Sequence, residues 1–240
     1  MTTIYTYTVQ GLTDTLTDAN GRVTDYDYDF NGNLEKVIYA QGTSEQATIQ
    51  YEYDLAGNQT AMIDENGNRT EYEYDGGNRL IKTTYAVGTP DEAVEINAYD
   101  GNGNLISMID PNGNRTEYEY DNRDRQILMR NVVDGGNDII TRTEYDDVGN
   151  VLSVIDAENN TTAYVYDARN RLVTETNELG FDRVMTYDDA NNQTSVTDRN
   201  DRVRTFSYDG LNRQVKEIWL DDNSPSPFTP QLLLITRLMS

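Results

Sequence analysis

Apolar and polar positions alternate with a period of two along most of the chain, most clearly in Arg69–Asp75. There Thr70, Tyr72 and Tyr74 share one parity, and Glu71, Glu73 and Asp75 the other. A period of two puts successive side chains on opposite faces of a pleated strand, a surface that Thr and Tyr favour. On a helix the same order would scatter the tyrosines around the cylinder. Ahead of this strand, Asn66-Gly67 is a dipeptide that tolerates the positive φ angles of a tight hairpin turn. The stretch Asp64–Asp75 therefore predicts a turn followed by a strand with one aromatic face and one acidic face. It recurs as Asp110–Asp121, differing only at Pro111, and more loosely as Asp18–Asp29, Asp156–Asp167 and Asp198–Asp209.

The repeat is best followed through its Tyr-Asp pairs: Tyr28-Asp29, Tyr53-Asp54, Tyr74-Asp75, Tyr99-Asp100, Tyr120-Asp121, Tyr145-Asp146, Tyr166-Asp167, Tyr187-Asp188 and Tyr208-Asp209, with Tyr7-Thr8 as a degenerate first member. Successive pairs are 21 or 25 residues apart, giving a 46-residue double repeat seen at Tyr28, Tyr74, Tyr120 and Tyr166. One double repeat reads as strands at Arg69–Asp75, Arg79–Ala86, Ala93–Asp100 and Leu105–Asp110, before Arg115–Asp121 begins the next. Short clusters of turn chemistry join them, the connection expected of antiparallel neighbours. Gly32, Gly57, Gly67, Gly103, Gly113 and Gly149 are the expected turn glycines. The extra residues of the longer spacing fall in Gln41–Gln46, Val87–Glu92 and Asp134–Asn137, and so predict longer hairpin loops and not extra strands. Every Tyr-Asp turn then falls on one rim of the sheet.

The predicted fold class is all-β, a repetitive antiparallel β-meander forming a long single-layer curved sheet. About twenty strands at roughly 4.8 Å would make a ribbon on the order of 95 Å wide, and sheets of more than about ten strands curl, split or close. Residues 1–217 read as the repeat array. Residues 218–240 drop the repeat, pass Pro225, Pro227 and Pro230, and end in apolar Leu232–Ile235, as a cap over the last strand or the end of a truncated chain.

Composition narrows the chemistry. With 42 acidic residues against 19 basic ones the formal charge is −23, so neither nucleic acid nor an anionic membrane surface is an expected partner. The chain has no Cys and no His, which removes disulfides, thiolate or imidazole metal sites, Cys nucleophiles and His-based triads. No 18-residue window is apolar, and residues 1–10 lack the basic start and apolar run of a signal peptide.

Carboxylates remain, but they follow the repeat. A catalytic pair stands in one asymmetric pocket that pushes two pKa values apart, whereas the Asp residues of the Tyr-Asp pairs occupy equivalent positions. Their expected task is local, accepting hydrogen bonds from backbone N–H groups two residues on. Asp29–Asn33 and Asp100–Asn104 cluster oxygen ligands, yet Gly stands at the fourth place and not at the sixth as a calcium loop requires. No metal and no cofactor is expected. The Tyr ladders, Tyr5/Tyr7, Tyr26/Tyr28, Tyr51/Tyr53, Tyr72/Tyr74, Tyr118/Tyr120, Tyr164/Tyr166 and Phe206/Tyr208, read first as packing and second as a sugar-binding platform. Asn-x-Thr triplets at Asn58, Asn68, Asn114, Asn160 and Asn192 are products of the turn chemistry.

Two turn signatures recur: Tyr-Asp-x-x-Gly-Asn at Tyr53–Asn58 and Tyr145–Asn150, and Tyr-Asp-x-x-Asn-Arg at Tyr74–Arg79, Tyr166–Arg171 and Tyr208–Arg213. With the intervening Asp-x-x-Gly-x-x-Thr-x-Tyr, the chain resembles the RHS/YD-repeat family over roughly residues 3 to 217. That family includes bacterial polymorphic toxins, shell proteins of insecticidal toxin complexes and the teneurin adhesion proteins. The resemblance implies a sheet wound into a hollow cocoon, partnered by the rest of a longer parent chain or an encapsulated effector, outside the cell or on a bacterial surface. It implies a structural wall segment and no enzyme, with a surface adhesion or glycan-binding module as the alternative. Toxin shells of the family carry Asp-Pro-x-Gly motifs associated with self-cleavage, and Asp110-Pro111-Asn112-Gly113 matches the letters. The equivalent Asp64-Glu65-Asn66-Gly67 and Asp18-Ala19-Asn20-Gly21 mark it as an ordinary turn. A meander starting at Tyr5 and stopping near Glu217 leaves two edge strands with unpaired backbone groups, so the chain is expected to self-associate as salt screens its charge.

Overall fold

Alternating Tyr, Thr and Val positions favour pleated backbone, and turn residues interrupt them before any helical period develops. The computed structural model describes residues 2–220, where every regular element is a strand. The chain forms two units. The first holds the residues up to Tyr118 with Asn131–Asn137, and the second holds Glu119–Arg130 and the described residues from Asp138 onward.

The strands of the first unit are β1 (Ile4–Tyr7), β2 (Thr13–Thr17), β3 (Val23–Tyr28), β4 (Leu34–Tyr39), β5 (Ala47–Tyr53), β6 (Gln59–Ile63), β7 (Arg69–Tyr74), β8 (Leu80–Tyr85), β9 (Ala93–Tyr99), β10 (Leu105–Ile109) and β11 (Arg115–Tyr120). The last two residues of β11, Glu119 and Tyr120, belong to the second unit, and residues of β12 (Gln126–Val132) are shared between the units. The second unit continues with β13 (Ile139–Tyr145), β14 (Val151–Ile155), β15 (Thr161–Tyr166), β16 (Leu172–Thr176), β17 (Asp182–Tyr187), β18 (Gln193–Thr197), β19 (Val203–Tyr208) and β20 (Gln214–Leu220). From β1 to β11, and again from β13 to β20, each strand pairs antiparallel with the next in the chain. The meander, its strand boundaries and the placement of the longer loops agree with the sequence reading. The last strand runs to Leu220, and residues 221–240, most of the non-repeat tail, lie outside the described residues.

Register is held constant through each meander. Where an even-numbered strand meets the following odd one, its third residue faces the residue three before the Tyr of the next Tyr-Asp pair: Lys36 faces Gln50, Ala61 faces Glu71, Lys82 faces Ile96 and Ser195 faces Thr205. Spacings of 21 and 25 residues give the same register, so the longer loops change nothing in the ladder. Where an odd strand meets the following even one, the Tyr faces the first residue of that strand and the residue after it is bulged out, as in Tyr53 opposite Gln59, Tyr74 opposite Leu80 and Tyr187 opposite Gln193.

Burial is shallow, as in a sheet no thicker than its own side chains. The buried apolar residues are Val37 and Ala61 in the first unit and Met185 and Val196 in the second. The tyrosines of β3, β5, β7 and β11 are half-buried, Tyr26 facing Val37, Tyr28 facing Leu34, Tyr51 facing Met62 and Tyr72 facing Thr83 on the following strands. Half of a ~200 Å² tyrosine removed from water stabilises by about 2.5 kcal/mol at ~25 cal/mol per Å².

One expectation is corrected. Asn66 and Gly67 do not form a two-residue turn with positive φ at both; only Gly67 is left-handed, at +84°. The turn spans Asp64–Asn68, with Gly67 donating to the Asp64 carbonyl at 3.0 Å. Asn78, Asn159 and Asn170 take the same place at φ of 61°, 64° and 60°. A Cβ at Gly67 would meet no atom within 4 Å, so a larger residue there suffers only conformational strain. Gly67→Val is expected to cost about 1–2 kcal/mol in urea denaturation and Gly67→Asn distinctly less; equal midpoints for the two variants would refute this account.

Candidate functional site

The recurring feature with specific chemistry is the Asp-led turn. In Asp29–Asn33, the Asp29 N–H donates to the Asn33 carbonyl at 2.8 Å and the Gly32 N–H to the Asp29 carbonyl at 3.1 Å. Of the three remaining turn N–H groups Asp29 Oδ1 accepts two, from Asn31 and Asn33 at 2.8 Å each. The second carboxylate oxygen holds the side chain of the last residue, Asn33 Nδ2 at 2.8 Å. Where that residue is Arg the bond comes from Nε, as Arg79 to Asp75, Arg125 to Asp121 and Arg171 to Asp167, all at 2.7 Å. Thr8 and Asn177 stand in for Asp at two turns and accept the same two backbone donors with neutral oxygens.

These bonds favour the carboxylate form. The Arg125 guanidinium lowers Asp121 from an ordinary 3.8 to about 2, and Arg171 does the same for Asp167. At Asp29, Asp54, Asp64, Asp75, Asp100 and Asp110 the first cause of a lowered pKa is likewise the partner side chain of the turn. At Asp146 desolvation is the largest influence and acts upward, but the bonds from Asn150 and its neighbours outweigh it.

The Tyr of six of the pairs completes the ladder beside the turn. Because the even-to-odd ladder starts only at the third residue of the even strand, the carbonyl of the first residue lacks a backbone donor on that side. Tyrosine hydroxyls donate to these carbonyls: Tyr53 to Leu34, Tyr74 to Gln59, Tyr99 to Leu80, Tyr145 to Gln126, Tyr187 to Leu172 and Tyr208 to Gln193, at 2.9–3.0 Å. Burial raises the pKa of Tyr53 and Tyr74, keeping these donors protonated.

Neighbouring Tyr-Asp turns are also laced to one another along the rim. In the first unit Asn58 Nδ2 donates to Asn78 Oδ1 at 2.9 Å, and Arg79 Nη1 to the Asp100 carbonyl at 2.8 Å. In the second unit Arg125 reaches the Asp146 carbonyl, Asn150 reaches Asn170, Arg171 reaches the Asp188 carbonyl and Asn192 reaches Asn212, at 2.7–3.1 Å. Each of those arginines also lies over a ring, Arg79 over Tyr99 at 5.0 Å, Arg125 over Tyr145 at 4.6 Å and Arg171 over Tyr187 at 4.8 Å. On the opposite face, Arg69 grips Glu52 through both carboxylate oxygens and Glu71 through Nε, arching over Ala61, which is fully covered.

The sequence-derived residues are thus used mostly in local bonds; Tyr28 and Tyr51 also line an open, polar hollow with Asp27, Glu35, Lys36, Gln50 and Glu52. Asp110-Pro111 stands in a turn with the same bonds as the others, Asn112 and Asn114 donating to Asp110 Oδ1 at 2.8 and 2.9 Å. Asp29–Asn33 and Asp100–Asn104, considered for calcium, have their carboxylates engaged within the turn, and among the described residues no cluster of acidic side chains converges on a metal site. Asn58, Asn68, Asn114, Asn160 and Asn192 have their amides tied to the turn Asp. The cross-turn donors Asn58, Arg79, Arg125, Asn150, Arg171 and Asn192 were missed. Their signal was the alternation of Asn and Arg at the ends of successive turns.

The family model of the RHS Repeat matches residues 7–44, 53–90, 99–135, 145–182 and 187–218. The chain belongs to the RHS-repeat family. No curated protein matches it. Among solved structures, TcdB2-TccC3 matches with a TM-score of 0.74 at 16% identity, over 90% of this chain and 13% of that one. TcdB2-TccC3-Cdc42 matches with 0.73 at 15% over the same shares. A TccC3-mutant Tc holotoxin pore of Photorhabdus luminescens matches with 0.53 at 13%, over 91% of this chain and 15% of that one. The likeness is one of fold, and these RHS repeats span about an eighth of the length of the chains they match.

The pH response of the RHS turns follows from the direction of the shifts. The folded-state pKa of Asp121 and Asp167 lies below the 3.8 of the free residue, so the native state binds fewer protons there. Their stabilisation is complete above about pH 4 and is lost as pH falls through 3.8 toward 2. Acid titration followed by circular dichroism should place unfolding in that window, and Asp121→Asn with Asp167→Asn should make it shallower; an unchanged acid transition would refute the assignment.

Proposed function

We propose that this chain is a structural wall segment of an RHS-type toxin encapsulation shell, with no catalysis of its own, acting outside the cell or at its surface as part of a larger exported protein. The observation that carries this reading is uniformity. One register, one turn and one rim lacing are reiterated in both units, so polar side chains are spent on holding neighbours together. Catalysis needs an asymmetric site, and the repeat positions its carboxylates alike. Membership of the RHS-repeat family and a fold shared with TccC3-containing toxin structures support the same reading. Six tyrosine hydroxyls occupied by backbone carbonyls weaken the alternative, a glycan-binding adhesion module, since those groups are not offered to a sugar.

Cryo-electron microscopy of the protein as its cell produces it should show these strands in the wall of a closed particle, with an effector polypeptide inside shielded from added protease. Strands displayed on an open surface, together with binding on a glycan array, would overturn the shell reading in favour of adhesion.

The wall role also excludes cutting at Asp110-Pro111. Mass spectrometry after long neutral incubation is expected to show one intact species; a fragment ending at Asp110 or Pro111 would refute this.

A further inference from the structure

Five of the turns carry Asn-Gly at their third and fourth places: Asn20-Gly21, Asn31-Gly32, Asn66-Gly67, Asn102-Gly103 and Asn112-Gly113. Asn-Gly readily loses its side-chain amide, because a glycine nitrogen brings no Cβ with it as it approaches the Asn side chain. The Gly backbone nitrogen attacks Asn Cγ and closes a five-membered succinimide ring as the bond to Nδ2 breaks and ammonia leaves. Water then opens the ring to aspartate or isoaspartate. The attacking nitrogen has first to give its proton to hydroxide or another base, and in the folded turns that N–H is engaged. Gly21, Gly32, Gly67, Gly103 and Gly113 donate to the carbonyl of the turn Asp at 2.9–3.2 Å. The Asn N–H is held as well, by Oδ1 of the same Asp at 2.8–2.9 Å. Ring closure therefore waits for the turn to open, and whatever holds the turn shut protects its amide.

The five turns are not held equally. Asp29, Asp64, Asp100 and Asp110 each use Oδ2 to grip the side-chain amide of the residue that ends the turn, Asn33, Asn68, Asn104 or Asn114, at 2.7–2.9 Å. The Asp18 turn ends in Arg22, whose guanidinium lies instead 3.5 Å from Glu45 Oε2. Asp18 Oδ1 still accepts from Asn20 and Arg22 N–H, but among the described residues no side chain is hydrogen-bonded to its carboxylate. An Arg at that place can serve, since Arg202 Nε holds Asp198 at 2.7 Å; it is the direction taken by Arg22 that leaves the turn without its clamp. We infer that Asn20 is the site at which the folded chain is modified, losing its amide to become aspartate or isoaspartate, while the clamp on the turn Asp protects Asn31, Asn66, Asn102 and Asn112. The inference goes beyond the wall role and does not depend on it. Without a charge-assisted hydrogen bond a turn opens roughly 10-fold more often, which sets the expected lead of Asn20. Isoaspartate there would add a backbone carbon to the hairpin in which Thr17 faces Val23.

The test is incubation of the full-length chain in mildly alkaline buffer made with oxygen-18 water, followed by peptide mass spectrometry, which reads the heavy oxygen taken up at each Asn-Gly. Rates in urea, where every turn is open, correct each site for its neighbours in sequence. Relative to its own rate in urea, Asn20 of the folded chain is expected to react roughly 10-fold faster than the other four; a corrected rate no higher than theirs would overturn the inference. Two substitutions move the clamp without touching the attacking nitrogen, the reacting Asn or the turn Asp. Arg22→Asn gives the Asp18 turn the terminal amide of the Asp29 turn and should slow Asn20 roughly 10-fold, an effect that unfolding cannot imitate. Asn68→Ala takes the clamp from Asp64 and should speed Asn66 by as much while leaving Asn112 unchanged. A folded-state rate at Asn20 that Arg22→Asn does not lower would overturn the clamp as the cause.

Discussion

Most of the short reversals of this chain depend on one carboxylate accepting hydrogen bonds that the turn backbone cannot make for itself. A five-residue turn with its fourth residue left-handed closes two backbone bonds and leaves two N–H groups facing inward, where each unmade bond would be expensive. The Asp at the head of the turn accepts both with one oxygen and fixes the last side chain with the other. Turn length then sets strand register, and a shift of one residue would turn every tyrosine to the opposite face. The carboxylate is thus upstream of the faces, the rims and the ladder.

The second constraint is thinness. A sheet whose apolar residues are mostly half-buried gains little from any one of them, so stability has to accumulate from neighbour to neighbour, as in other repeat architectures. Side chains contribute at three levels along one direction. Tyrosine packing joins adjacent strands, tyrosine hydroxyls fill the carbonyls where the ladder stops, and Asn and Arg tie one turn to the next two strands away. The arginines serve twice, as donors to a neighbouring turn and as cations over a tyrosine ring, while their charge holds the turn Asp ionised.

Much of this was legible in the chain itself, for a physical reason. The period of two, the Tyr-Asp spacing and the Gly or Asn at the fourth turn position are local features, and local geometry determines strand, turn and connection length. Strands such as Ala93–Asp100, observed as Ala93–Tyr99, and loops such as Val87–Glu92 followed from that. The Asn66-Gly67 turn was misread because a dipeptide preference does not say which of two residues becomes left-handed; the Asp64 carboxylate and Asn68 decide that together. The lacing was out of reach because Asn58 and Asn78, or Arg79 and Asp100, are about twenty residues apart and meet only once two further strands have been laid down in register.

The sequence by itself determined an all-β meander, the two chemically distinct strand faces, and the absence of thiol and imidazole chemistry. These follow from residue types and from spacings shorter than one hairpin. Only the tertiary structure decided that the register is indifferent to loop length, that six Tyr hydroxyls serve a carbonyl of the preceding strand, and that alternating Asn and Arg tie neighbouring turns together within each unit. Those are relations between strands, and pairing across a sheet is set by where the ladder begins, a quantity that no single strand carries.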